Sequence, residues 1–291
     1  MEKMVKYLLY GCFGLPGGKR CVELITEHEL EEIITFVKKR CGIDLSGKKV
    51  LITGRLDHYL VQNGYSSYSE YMDAVRHDIT GNEAINLVNS LTTNHTFFMR
   101  EFDHFEILRR DILPELKKKE QASKDLRVWS AACSTGQEPY TLAMVLNDFF
   151  GLEHPQWDTK VLATDLDTRV IAGAVRGRYS AEQIKDVPDV WKRRYFRQVA
   201  EGCYEVKPEL KKEVIFRQFN LMDAFPFRRK FHVVFLRNVM IYFDDETKRR
   251  LVNRIYDFTE TGGYLFIGAT EFIDRSATRF KYVCPSVFRK I

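Results

Sequence analysis

Apolar residues in the first third of the chain recur with the period of a helix. Leu30, Ile33, Ile34 and Val37 follow an i, i+3, i+4, i+7 pattern, and Thr26 with Glu29 forms a capping box ahead of them. Gly42 closes that segment. Ser67 with Glu70 heads a similar stripe of Tyr68, Tyr71, Met72 and Val75, and Thr80 with Glu83 heads another of Ala84, Leu87, Val88 and Leu91. Between them, "SGKKVLITGRLDHYLVQNG" reads as a further helix ending near Gly64. Residues 22–92 are therefore expected to form a small bundle of four helices.

The texture changes after that. Residues 93–125 read as a junction segment, then a longer helix from Phe102 to about Lys119 punctuated by Pro114, then a charged surface linker, "KKKEQASKD". From 126 to 291, short apolar runs alternate with helical patterns. Strands are expected at Leu126 to Ala131, Lys160 to Thr164, Val214 to Gln218, His232 to Leu236 and Gly263 to Ile267. Helices are expected at Pro139 to Phe150, Arg169 to Arg176 and Glu246 to Phe258. The tail "RFKYVCPSVFRKI" reads as a closing hairpin. Such alternation implies an α/β fold, a largely parallel, doubly wound sheet with helices on both faces.

Composition narrows the possibilities. The chain of 291 residues is long enough for one α/β domain and a smaller helical one. Its formal charge of +5 is modest, and Lys and Arg are interleaved with Asp and Glu, so no stripe suited to nucleic acid is visible. Cys12, Cys21, Cys41, Cys133, Cys203 and Cys284 are scattered without metal-ligand spacing. No metal is expected, and reduced cysteines point to a cytoplasmic protein. No apolar stretch approaches the roughly twenty residues of a membrane helix. The apolar core within residues 1–21 is too short for a signal peptide, so a disordered extension is expected there.

Ligands of doubly wound sheets sit beyond the carboxyl ends of the strands. Four loops occupy that position: Ala132 to Gln137, Asp165 to Thr168, Phe219 to Asp223 and Arg237 to Tyr242. Asp165 can accept both hydroxyls of an adenosine ribose, or it can cap the next helix, a task Asp167 or Thr168 could equally perform. Gly136 lets the first turn pass close to a ligand, and Glu138 stands in a first helical turn where a carboxylate is favoured. A dinucleotide site calls for more glycine and gains nothing from a second acid facing its pyrophosphate. Two carboxylates suit a ligand with hydroxyls and a cation, a description that S-adenosylmethionine meets. In the junction, "NSLTTNHTFFMREFDHF" sets Asn94, Thr96 and Arg100 among Leu91, Phe97, Phe98, Phe102 and Phe105. Packing explains the phenylalanines but not the arginine, which favours a site role.

Five segments in order, "LTTNHTFFMREFDHF", "VWSAACSTGQEPYTLA", "ATDLDTRVI", "RQFNLMD" and "FLRNVMIYFDDETK", together resemble the CheR family of chemotaxis receptor methyltransferases over residues 26 to 288. The resemblance implies a class I, Rossmann-like methyltransferase sheet with a helical N-terminal domain and an inserted antiparallel β-subdomain at about 190–213. It implies transfer of a methyl group from S-adenosylmethionine to glutamate side chains on the cytoplasmic helices of chemoreceptors, with S-adenosylhomocysteine as product. Carried onto this sequence, the cofactor contacts are Asn94, Thr96, Arg100, Glu138, Asp165, Asn220, Leu221, Arg237 and Asn238. Tyr242 lies near the transferred methyl, and Arg100 and Tyr242 are expected to position the reacting groups.

The sequence departs from the family pattern in three places. The second N-terminal helix, about 47–62, keeps Arg55 but then presents His58 and Val61, with Lys48 and Lys49 upstream, which leaves receptor docking through it less marked. The inserted segment "RRYFRQVAEGCYEVKPELKKEV" has one glycine, Gly202, which suits a tight turn at Glu201-Gly202 better than a loop gripping a receptor C-terminal pentapeptide. Ala269, Thr270 and Glu271 stand where relatives often carry His-Ser-Glu, and no role is expected for them. Two other readings keep the fold: a methyltransferase for another substrate, and a non-catalytic module that binds S-adenosylmethionine or S-adenosylhomocysteine as a signal.

Overall fold

The computed structural model describes residues 22–92 and 95–291, with the backbone of β1 (Tyr10–Gly11), which pairs antiparallel with β2 (Val22–Glu23). The remainder of the expected extension, Cys12 and Cys21, and the site candidate Asn94 lie outside the described residues. Two compact units divide the chain, Met1–Asn94 and His95–Ile291.

The first unit contains the helices Glu27–Cys41, Lys49–Asn63, Tyr68–His77 and Asn82–Leu91. Thr26 and Glu29 form the expected capping box, and Gly42 ends the first helix in a left-handed conformation, its N–H donating to the Lys38 carbonyl. The apolar stripes are buried, including Ile33, Val37, Ile52, Leu56, Leu60, Tyr68 and Tyr71, except that Ile34 is half-buried. Tyr71 collects the rings of Tyr59 and Tyr65 at 5.2 and 5.0 Å. The fourth helix departs from expectation: Gly81, not Thr80, is its N-cap. Asp78 Oδ2 accepts the Glu83 N–H at 2.7 Å, because an ionised carboxylate takes an orphan N–H more strongly than the Thr80 hydroxyl does.

In the second unit the expected long helix is continuous in three pieces, Asp103–Ile107, a π-helical turn Leu108–Ile112, and Leu113–Lys119. Pro114 has no N–H and its ring crowds the preceding turn. The chain widens instead of breaking, with the Leu113 N–H donating to Leu108. The strands that follow are β3 (Val128–Ala131), β4 (Val161–Asp165), β5 (Arg178–Ser180), β6 (Phe196–Ala200), β7 (Cys203–Val206), β8 (Val214–Gln218), β9 (Phe231–Leu236), β10 (Thr259–Ile267), β11 (Lys281–Cys284) and β12 (Val287–Arg289). Seven form one sheet in the order β11-β12-β10-β9-β3-β4-β8. The five from β10 to β8 are parallel, and the closing hairpin adds β12 and β11 antiparallel.

This is the expected class I methyltransferase arrangement. From the central β3 the chain moves outward through β4 to β8 and then returns to β9 on the other side of β3. The strand order therefore reverses between β3 and β9, and the carboxyl ends of those two strands define the switch point. β3 and β9 are buried along their whole length, as strands covered on both faces must be.

The β-subdomain is a three-stranded antiparallel sheet of order β5-β7-β6. It begins earlier than the expected 190, because Arg178–Ser180 pairs with Cys203–Glu205. Tyr179 explains the recruitment. Its ring packs edge-on to Phe98 at 4.8 Å, and its hydroxyl donates to the Thr135 carbonyl at 2.7 Å, tying the subdomain to the loop after β3. The β6-β7 turn is Glu201-Gly202, with Gly202 at φ 65°. Among the described residues, Cys41, Cys133, Cys203 and Cys284 form no disulfide.

Candidate functional site

The loop after β3 is conformationally strained. Ala132, Ser134 and Gly136 have φ of 65°, 49° and 95°, a left-handed region that costs a residue with a Cβ about 1 kcal/mol or more. Asp165, at the end of β4, holds this loop: its Oδ2 accepts the Ser134 N–H at 2.8 Å and its Oδ1 the Asp167 N–H at 3.0 Å. Asp167 itself caps the Thr168–Arg176 helix, so Asp165 is released from the capping role. Its two oxygens retain acceptor capacity beyond those bonds.

Gly136 answers to a different requirement than ligand approach. A Cβ there would meet the Ala174 Cβ at 2.8 Å and the Tyr179 hydroxyl at 3.0 Å. Packing against the neighbouring helix and the subdomain, together with its φ, demands glycine at this position.

Across the switch point, charges interlock. Arg237, whose side chain is 2% exposed, donates from Nη1 to Glu138 Oε2 at 2.9 Å and from Nη2 to Glu101 Oε2 at 3.1 Å. Nη2 also donates to the Arg100 carbonyl, and the guanidinium lies 5.4 Å from the centre of the Phe105 ring. Ser130 on β3 donates its hydroxyl to Glu138 Oε1 at 2.6 Å. Glu138 thus faces the buried Arg237. Asn238, at φ 58°, donates its side-chain N–H to Glu101 Oε1 at 3.0 Å.

These environments set the ionisation of the groups. Burial pushes the Glu138 carboxyl up, and Arg237 and Ser130 only partly oppose it. Burial also raises Asp165, against the N–H bonds from Asp167 and Ser134. For Glu101 burial pushes up too, but the Asn238 amide and Arg237 outweigh it and hold the carboxyl below the ordinary range. His104, with Nδ1 3.3 Å from Glu101 Oε2, is lowered to about 4 by burial and by the adjacent Arg237.

The other expected residues fall as follows. Arg100 is half-buried, its Nη1 donating to the His95 carbonyl at 2.8 Å and its guanidinium 5.9 Å from the Phe97 ring centre. Phe98 and Phe105 are core residues, as the packing reading requires, but Phe97 and Phe102 are exposed and depart from it. Thr96 is half-buried in the segment leading to Arg100. Asn220 and Leu221 are buried after β8, Asn220 Oδ1 accepting the Met222 N–H at 3.0 Å. Tyr242 ends a short 3-10 turn, Met240–Tyr242, with its N–H donating to Val239. The structure joins Glu138, Arg237, Asn238 and the Arg100 backbone in one network. Asp165 belongs to the neighbouring strand-end loops, and Asn220 and Leu221 to the outermost of them.

Three participants had no role in the sequence reading. Glu101, at φ 55°, is the hub of the network and also accepts the Ala269 N–H at 3.0 Å. Glu271 accepts the N–H groups of Asn238 and Gly268 at 2.8 and 2.7 Å. Arg254, from the Asp245–Asp257 helix, donates to the carbonyls of Leu221, Met222 and Asp223. The available signals were an acid among aromatics for Glu101 and an acid just past an apolar strand for Glu271. Arg254 carried none.

Among the described residues no cluster of His, Cys, Asp or Glu is arranged to hold a metal ion, and no helix is long and apolar enough to cross a membrane. The donor set fits S-adenosylmethionine. Asp165 has acceptor capacity for ribose hydroxyls, and acids and amides converge on the switch point.

Comparison with known proteins agrees. Residues 94–288 match the family model described as "CheR methyltransferase, SAM binding domain", and residues 28–92 match "CheR methyltransferase, all-alpha domain". A chemotaxis protein methyltransferase of Borreliella burgdorferi is 38% identical over 91% of this chain and 95% of its own length. Chemotaxis protein methyltransferase 1 of Pseudomonas aeruginosa is 36% identical over 88% and 94%, and that of Escherichia coli 33% over 88% of each. The chain belongs to the CheR methyltransferase family. It is a methyltransferase whose cofactor is S-adenosylmethionine.

Proposed function

We propose that this enzyme methylates specific glutamate side chains on the cytoplasmic helices of chemoreceptors, acting in the cytoplasm. The observation that carries the reading is the buried Glu138–Arg237–Glu101 network at the switch point, which presents positioned charges rather than a nucleophile and its base. A glutamate is already ionised at neutral pH and needs no base to activate it. What the site has to supply is orientation of carboxylate oxygen, methyl carbon and sulfur in line. S-adenosylmethionine supplies the methyl group and leaves as S-adenosylhomocysteine, while the accepting carboxylate becomes a methyl ester.

The protein's part is to bind and align. Asp165 and the Asn220-Leu221 loop hold the nucleoside end, and Thr96, Glu138, Arg237 and Asn238 hold the amino-acid end. Arg100 offsets the charge of the incoming carboxylate, and Tyr242 lies beside the reacting methyl. The half-buried position of Arg100, with its backbone tied to Arg237, supports this role.

The same reading holds that no receptor C-terminal pentapeptide is needed, supported by the tight Glu201-Gly202 connection. Incubation with labelled S-adenosylmethionine and receptor-rich membranes tests the whole. Base-labile label released as methanol is expected. Stable label would instead point to another substrate, and tight cofactor binding without transfer to a signalling module. Calorimetry with a receptor-tail pentapeptide is expected to show no micromolar binding.

A further inference from the structure

The loop after β10 carries a carboxylate that the reading above leaves without a task. Glu271 Oε2 accepts the Gly268 N–H at 2.7 Å and the Asn238 N–H at 2.8 Å, and Oε1 accepts the Ile241 N–H at 3.2 Å. The Met240 N–H adds a further bond. One acid from the loop after β10 therefore gathers N–H groups along the loop after β9. That second loop contains Arg237, Asn238 and Tyr242.

Several features say that this clamp sets the loop's shape. Asn238 is held at φ 58°, a conformation that relaxes unless the surroundings fix it. Apolar burial fixes only part of the loop: Met240 is fully buried, but Ile241 is 50% exposed. Gly268 is shaped to the contact, since a Cβ there would lie 2.5 Å from Asn238 Nδ2, 2.9 Å from Glu271 Oε2 and 3.0 Å from the Asn238 N. Bonds from backbone N–H to a carboxylate are shorter and stronger than neutral ones, so several converging on one side chain hold the loop in place.

We propose that Glu271 is a positioning residue for methyl transfer, holding the Arg237–Tyr242 loop in the conformation that aligns cofactor and methyl. The proposal rests on the assignment of Asn238 and Tyr242 to the site. Glu271→Gln keeps the volume but presents an amide NH2 to N–H groups that need an acceptor. Expected are a fall in kcat of about tenfold or more, a weakening of S-adenosylhomocysteine binding of about fivefold by calorimetry, and a receptor KM within about twofold of wild type.

A merely structural residue would lower the melting temperature and leave kcat per folded molecule and cofactor affinity unchanged, and that result would overturn the proposal. If Glu271→Gln does not accumulate as folded protein, Glu271→Asp decides by the same readouts, because it keeps the charge but draws the carboxylate back from the Asn238 and Ile241 N–H groups. Failure of the glutamate reading looks different: wild type then transfers no base-labile methyl, and the change in S-adenosylhomocysteine affinity alone judges Glu271.

Discussion

Arg237 Nη1 donates to Glu138 Oε2 at 2.9 Å, joining the loop that follows β9 to the first turn of the helix that follows β3. The pair closes the switch point of the sheet, and Arg237 reaches on to Glu101 in the segment ahead of the first long helix. Three loops far apart in sequence are thereby fixed by one buried guanidinium, and the consequences can be measured.

Glu138→Ala leaves Arg237 buried with half of its charge compensation. Losing one partner of a buried pair costs roughly 3–5 kcal/mol, so a matching loss of unfolding free energy in urea is expected. Cofactor affinity should fall about tenfold with it. Glu138→Gln retains an acceptor for the guanidinium and should cost roughly half as much.

Two glycines should respond with opposite signs. Gly136→Ala combines φ 95° with a contact of 2.8 Å to the Ala174 Cβ, and destabilisation by about 2 kcal/mol or more is expected. Gly54 lies in the Lys49–Asn63 helix, and a Cβ there would meet nothing within 4 Å. Gly54→Ala should stabilise by about 0.5–1 kcal/mol. Denaturant midpoints of the two variants check both.

Arg254→Met removes three bonds to the carbonyls of Leu221, Met222 and Asp223, and with them a cation 4.5 Å from the Phe225 ring centre. The Asn220-Leu221 loop should loosen. Weaker S-adenosylmethionine binding, by about fivefold to tenfold, is expected in calorimetry, with the receptor KM unchanged.

His104 gives a signed pH dependence. Its folded value is lowered to about 4, from an ordinary value near 6.5, so the fold favours the neutral ring. The stability this contributes is present above pH about 6.5 and is lost as pH falls towards 4. Glu138 and Asp165, both raised by burial, act in the opposite sense: their contribution is full at low pH and is lost as pH rises through their folded values. Comparison with His104→Phe isolates the histidine. Between pH 6.5 and 4, wild type should lose more stability than the variant, measured by urea unfolding.

Helix and strand identities were legible in the sequence because they depend on neighbours in the chain. The period of Leu30, Ile33 and Val37, the box of Thr26 with Glu29, and the run Val214 to Gln218 each carry a local signal, and all were found where expected. The start of the fourth helix was not, because Asp78 and Thr80 both lie within reach of the same N–H groups, and charge decided between them. The edge of the β-subdomain was missed because β5 has only three residues and exists through pairing with β7.

By itself the sequence determined the α/β class, the family and the strand ends at which the site lies, since periodicity and ordered motifs are properties of the chain. Which acid meets which base was decided only by the tertiary structure. Glu138 faces Arg237, Glu101 is the hub and Glu271 gathers the N–H groups of a neighbouring loop, pairings that span between 30 and 137 positions. Gly136 was read as room for a ligand and is instead required by Ala174 and Tyr179. Hydrogen bonds and steric contacts act over a few ångströms of space, and the fold alone determines which residues come that close.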